Sequence, residues 1–170
     1  MVAARMGTWV IDTNVLLVAD LRHQDISPEC VSACVLRLQA IQVEGEIVLD
    51  DGFEILEEYQ HKTDANRGKT VAQVFLKWLW RNPGRWFTVH LERHPERGYA
   101  AFPSAPELAA FDPADRKFIA AAVACSAHPP ILQAADSKWL SVAGALQHQG
   151  IAVEFLCPDD LRRFAARKGL

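Results

Sequence analysis

Short apolar runs alternate with amphipathic stretches along this chain. GTWVID, bounded by Gly7, is apolar and partly β-branched, and predicts a buried strand. Ser27 followed by Pro28 supplies an N-cap and a first helical residue. The helix that follows is expected to run to about Val43 and stop near Gly45. EIVLD, Glu46 to Asp50, predicts a second strand, and Asp51–Gly52 turns into a helix, FEILEEYQHKT. KTVAQVFLKWLWRN, from Lys69, predicts an amphipathic helix broken at Asn82–Pro83–Gly84, and RWFTVHL predicts a strand.

Residues 92 to 111 hold three prolines and one glycine, and are expected to loop over the surface. DPADRKFIAAAVACSA then predicts a helix, ended by Pro129–Pro130. ILQAA reads as a buried strand, SKWLSVAGALQHQ as a helix and IAVEFL as a last strand. Cys157–Pro158–Asp159–Asp160 opens a final helix, whose later turns carry Arg162, Arg163, Arg167 and Lys168. Cations there suit the helix dipole. Strands alternating with helices predict an α/β fold, three-layer α/β/α, around a mostly parallel sheet. In such sheets ligands bind outside the carboxyl ends of the strands.

Composition narrows the picture. A chain of 170 residues, half of them hydrophobic, suits one domain over 1–170, elaborated at about 60–110. A net charge of −3 excludes attraction of a polyanion by bulk charge, so such a partner needs a local basic patch or a bound cation. No apolar run reaches the ~20 residues of a membrane span. The opening stretch imitates a signal peptide, but Asp12 and Asn14 interrupt its apolar segment. Cys30, Cys34, Cys125 and Cys157 form no CxxC pair, and reduced thiols in or near the core are expected. A cytoplasmic protein fits that reading. The histidines show no HxH or HExxH spacing, so none is assigned to a metal.

The acids carry the candidate chemistry. Asp12 ends the first strand and Asp136 follows ILQAA. Asp112 and Asp115 open the DPADRKF helix, and Glu54, Glu57 and Glu58 lie on the helix after EIVLD. Singly, Asp12 and Asp136 read as helix caps, Asp112 and Asp115 as one cap and one first-turn acid favoured by the dipole, and Glu57 and Glu58 as a solvated face. Together, four segments bring acids toward one end of a sheet. Converging carboxylates repel unless protonated or neutralised by a cation. Oxygen donors suit Mg²⁺ or Mn²⁺, which activate water and offset charge on a leaving oxygen in phosphodiester hydrolysis.

VIDTNVLL, ILEEY, DPADRKFIAAAV and ILQAADSKWL occur in the order of the motifs of PIN-domain ribonucleases, and residues 8 to about 156 resemble that family. The resemblance implies a metal-dependent endoribonuclease acting on single-stranded RNA. Asp12, Asp115 and Asp136 would be its first, third and fourth acids, and would hold Mg²⁺ or Mn²⁺. Asn14 would support Asp12, and Ser137 and Asp112 would assist. The second acid is open among Glu58, Glu54 and Glu57, in that order, with Asp51 a further candidate. Lys138 departs from the pattern, standing where many relatives carry an acid or polar group. Family members are often toxins held by a small antitoxin, and often dimerise, so an antitoxin and a homodimer are candidate partners beside RNA. The alternative is a catalytically inactive PIN-like module that binds nucleic acid or protein. For RNA contact, the residues expected first are Arg93 and Arg97 in the presumed loop, then Arg116 and Lys117 beside Asp115. Trp78 and Trp86 are expected in the core.

Overall fold

The structure is a computed structural model that describes residues 7–63 and 68–170. Met1 to Met6 of the signal-like opening, and residues 64–67 of the elaborated region, lie outside the described residues. Five parallel strands form the central sheet in the order β3-β2-β1-β6-β7, and helices flank it in a three-layer α/β/α arrangement. A separate antiparallel pair, β4 (Arg93–His94) with β5 (Gly98–Tyr99), stands apart from it.

β1 (Thr8–Ile11) is the central strand. It pairs with β2 (Glu46–Asp50) through Thr8–Glu46 and Trp9–Ile47. On its other side it pairs with β6 (Ile131–Gln133) through Val10–Ile131 and Ile11–Leu132. The chain therefore moves outward to β2 and β3 (Trp86–Val89), then returns to fill β6 and β7 (Val153–Phe155). The reversal leaves a crevice at the carboxyl ends of β1 and β6, the expected place for a ligand in an open parallel sheet.

Local chemistry explains most boundaries. Asp12 caps α1 (Thr13–Ala19), accepting from the Asn14 N–H at 3.0 Å. Ser27 caps α2 (Pro28–Glu44), and Gly45 ends it where a Cβ would lie 2.9 Å from Ile41 Cγ2. Asp50, at the end of β2, caps α3 (Glu54–Thr63) twice, accepting from the Glu54 and Ile55 N–H groups at 2.9 Å each. Asp20 reaches across to α4 (Val71–Arg81), where it accepts from Thr70 Oγ1 and from the Ala72 N–H. Trp78 and Trp86 pack against the core, as the sequence implies.

One expectation needs refining and one fails. The segment 92–111 does run over the surface, with half of its residues exposed, but the buried side chains of Tyr99, Phe102, Leu108 and Phe111 pin it to the core. Burial of irregular backbone requires donors for its carbonyls. Arg116, 9% exposed, supplies them to Phe111 O, Ala109 O and Arg97 O, with its guanidinium 4.7 Å from the Phe102 ring centroid. The cysteines are not all reduced: Cys30 and Cys157 form a disulfide, with Cα atoms 5.1 Å apart. Docking of α7 (Pro158–Arg167) on the start of α2 brings them together. There Ser27 donates both its N–H and its hydroxyl to Asp160 at 2.7 Å. Cys34 and Cys125 are free and buried. No helix among the described residues is long and apolar enough to cross a membrane.

Candidate functional site

The carboxyl ends of β1 and β6, the starts of α1, α5 (Arg116–Ala124) and α6 (Ser137–His148), and the middle of α3 bring the acids together. Asp12 is 5% exposed. Both its protein hydrogen bonds fall on Oδ2: the Asn14 N–H at 3.0 Å and Gln133 Nε2 at 2.8 Å. Burial, followed by the charge of Asp115, pushes this carboxyl up to about 7 despite those two bonds. Asp136 caps α6 through the Lys138 N–H. Its charge also reaches Asp12.

Asp115 makes no cap bond, although it immediately precedes α5. Its carboxyl is raised by burial, with opposing help from Lys138, and it feels both Asp112 and Glu58. Asp112 caps the short turn Pro113–Asp115 through the Ala114 N–H at 2.9 Å, and that bond and Lys138 hold its carboxyl low.

Of the three glutamates left open by the sequence, Glu58 joins this cluster. It accepts from Thr13 Oγ1 at 2.7 Å, one residue from Asp12, and forms an ion pair with Lys117. Glu54 turns to Arg93 and to the Tyr99 hydroxyl. Glu57 is exposed, and Asp51 pairs with His90 at 2.9 Å. Thus Asp12, Glu58, Asp115 and Asp136, from four segments, form one electrostatically coupled group.

Two ammonium groups sit inside that group. Lys138 Nζ contacts Asp115, and lies 3.2 Å from Asp112 and 3.6 Å from Asp136. Burial alone would lower this lysine; the acids outweigh it and raise it. Lys117 serves Glu58 and also donates to Ala114 O. Among the described residues, the only three metal-type donors gathered within 4.8 Å are the sulfurs of Cys30, Cys34 and Cys157. The acids are close, but lysine ammoniums occupy the space between them.

Several supporting roles differ from the expected ones. Asn14 holds Asp12 with its backbone, while its side-chain Oδ1 accepts from the Ala135 N–H at 3.2 Å. Ser137 is buried at the head of α6. Gln133 bridges two acids, donating to Asp12 and accepting from the Asp136 N–H at 3.3 Å. Its signal in the sequence was a long amide inside the apolar run ILQAA. The cations expected to meet RNA are engaged internally. Arg93 pairs with Glu54, and Arg97 donates to Phe102 O and Ala100 O. Arg116 and Lys117 are buried.

A cleft opens on either side of the acids. One, of about 430 Å³, runs from Asn14, Asp136 and Ser137 to His23, Phe164, Arg167 and Lys168. The other, of about 570 Å³, is lined by Glu54, Glu58, His61, Lys62, Tyr99 and Lys117. Asp136 borders the first and Glu58 the second. Neither a family model, nor a curated protein, nor a solved structure matches this chain.

Proposed function

We propose that the chain is a divalent-cation-dependent endoribonuclease of PIN type, hydrolysing phosphodiester bonds in single-stranded RNA. The observation that carries this reading is the convergence of Asp12, Glu58, Asp115 and Asp136 in the crevice at the sheet's reversal. Nothing in simple capping calls for Asp12 to be held where burial and a neighbouring acid push its carboxyl up to about 7. Such a group is stabilised by a proton or by a cation.

In chemistry the donors suit Mg²⁺ or Mn²⁺, being carboxylate oxygens, hard ligands, largely removed from solvent; with the lysines among them, no three of their oxygens gather within 4.8 Å. Asp12, Glu58, Asp115 and Asp136 would hold the ion. When bound, the ion would activate a water and offset charge on the leaving oxygen. The protein's own part is positioning. Gln133 and the Asn14 N–H fix one Asp12 oxygen, Thr13 aims Glu58, and the α6 start fixes Asp136. Lys138 and Lys117 neutralise the acids in the cation-free state and must release them for an ion to bind.

That reading places the chain in the cytoplasm, with RNA as its substrate. In that compartment the thiol pool favours an open Cys30–Cys157 bond. A small antitoxin and a homodimer remain proposals of the same reading. Lys138 among the acids favours one alternative, a catalytically inactive binding module in which the lysine permanently stands in for the ion.

Calorimetry with Mn²⁺ on wild type and Asp12→Asn, followed by cleavage of a fluorogenic single-stranded RNA, separates the two. Binding and cleavage that both vanish in the variant support the nuclease. RNA binding without cation binding or cleavage supports the module.

A further inference from the structure

The C-terminal helix carries cations that the acid centre does not use. From Arg162 to Lys168 there are four basic residues and no acid, in a chain of net charge −3. The helix dipole accounts for cations near this end. It does not account for how they are arranged around a ring. Phe164 is half-buried and stacks on His23, with centroids 5.6 Å apart and planes 28° apart. The guanidiniums of Arg163 and Arg167 lie 5.2 Å and 5.7 Å from the same ring. Arg167 also touches Asp25, at 3.3 Å, and both partners are more than half exposed. Lys168 makes no ion pair among the described residues.

The position gives these groups a use. Phe164, Arg167 and Lys168 line the cleft whose other end is Asn14, Asp136 and Ser137. The inner end therefore carries one acid, Asp136, and no lining cation, whereas both lining cations, Arg167 and Lys168, stand at the outer end. Asp25 is the outer end's opposing acid. Cations beside a solvent-accessible aromatic ring are the combination that binds single strands, through phosphate contact and base stacking. The inner end repels phosphate unless a cation is bound, whereas the outer end attracts it unaided.

We infer that the cleft between the start of α6 and the end of α7 is a binding subsite for single-stranded RNA, with Arg167 and Lys168 on a phosphate and the His23–Phe164 stack beneath a base. Its place in a reaction rests on the nuclease reading; binding at this subsite does not. RNA held here would lead its next phosphodiester toward Asp136.

The test is fluorescence anisotropy of a labelled 12-nucleotide single-stranded RNA, in chelator, so that no cleavage occurs. Wild type is compared with the double variant Arg167→Gln/Lys168→Gln, with Phe164→Leu, and with Arg162→Gln. Arg162 lies on the same helix, pairs with Asp159 and does not line the cleft. Thermal melts establish that each variant is folded. The double variant is expected to bind about tenfold more weakly, with a salt-dependence slope shallower by about 1.4, the value for two lost contacts to a single strand. Phe164→Leu is expected to weaken binding without changing the slope, and Arg162→Gln to stay within about twofold of wild type. Equal losses in the double variant and Arg162→Gln would mean bulk charge, and would overturn the subsite. So would unchanged affinity in the double variant, absence of RNA binding by wild type, or displacement of the RNA by an acidic peptide as readily as by unlabelled RNA. RNA binding lost in the double variant, in a protein that never cleaves RNA with Mn²⁺, would sustain the subsite and refute the nuclease.

Discussion

Asp12→Asn is expected to stabilise the cation-free protein while removing its cation site. The carboxyl's ordinary value is 3.8 and its folded value about 7. Between those values the folded chain holds a proton that the unfolded chain has released. Stability therefore falls as pH rises through that window, and the whole penalty is present above about pH 7. The difference corresponds to about 4 kcal/mol at about 1.36 kcal/mol per pH unit. Asparagine keeps an oxygen for the Asn14 N–H and Gln133, and adds amide hydrogens facing the acids, so about 3 kcal/mol is a fair net gain. For 170 residues, with an unfolding entropy of about 2.1 cal/mol/K per residue, that raises Tm by about 8 °C. Circular-dichroism melts in chelator at pH 8 and pH 4 test this. The gain belongs at pH 8 and nearly vanishes at pH 4, where Asp12 is protonated in the folded chain and partly so in the unfolded one. Mn²⁺ then raises the Tm of wild type and leaves the variant unmoved. A variant less stable than wild type at pH 8, or equally shifted at both pH values, would show that Asp12 serves mainly as a cap, and would refute the reasoning.

Three other perturbations have definite expected outcomes. Lys138→Gln removes an ammonium that contacts three acids. A displaced lysine about 6 Å from a dication adds about 1.4 kcal/mol of repulsion even at water's dielectric constant, and a half-exposed ion pair adds a little more. Mn²⁺ affinity by calorimetry should therefore rise about 30-fold, for about 2 kcal/mol in all, and unchanged affinity would place the lysine outside the cation's path. Arg116→Met leaves the carbonyls of Phe111, Ala109 and Arg97 without their donor. A loss of about 3 kcal/mol is expected, seen as a Tm drop of about 8 °C, with Arg116→Lys recovering less than half. Cys157→Ser opens a cross-link between residues 127 apart in sequence. Loop entropy sets the loss at about 5 kcal/mol, so the urea midpoint should fall to that of reduced wild type, and a variant as stable as the oxidised protein would contradict this.

The elements were legible because their signals are local. Ser27–Pro28 opens α2, EIVLD is β2 residue for residue, and Asn82–Pro83–Gly84 follows the end of α4. The acids were legible as residue types at strand ends and helix starts, but their relations were not. Periodicity puts Glu54 and Glu58 on one face of α3, yet only packing of α3 against α1 decides that Thr13 meets Glu58 across 45 positions. The same holds for Gln133 beneath Asp12, 121 positions away. Residues 92–111 read as a surface loop because their prolines break periodicity. They do run over the surface, but the guanidinium that satisfies their carbonyls where they are pinned to the core lies outside the segment, at Arg116.

By itself, the sequence determined an alternating α/β chain with a parallel sheet, its helix caps, and acids clustered where strands end. Hydrogen bonds and apolar contacts between near neighbours are enough for that. The tertiary structure decided which glutamate joins the aspartates, that Lys117 and Lys138 neutralise them, that Cys30 meets Cys157, and that Arg167 and Lys168 share a cleft with Asp136. Each of these depends on Coulomb, covalent or packing contacts between groups far apart along the chain, whose distances exist only once the sheet has assembled.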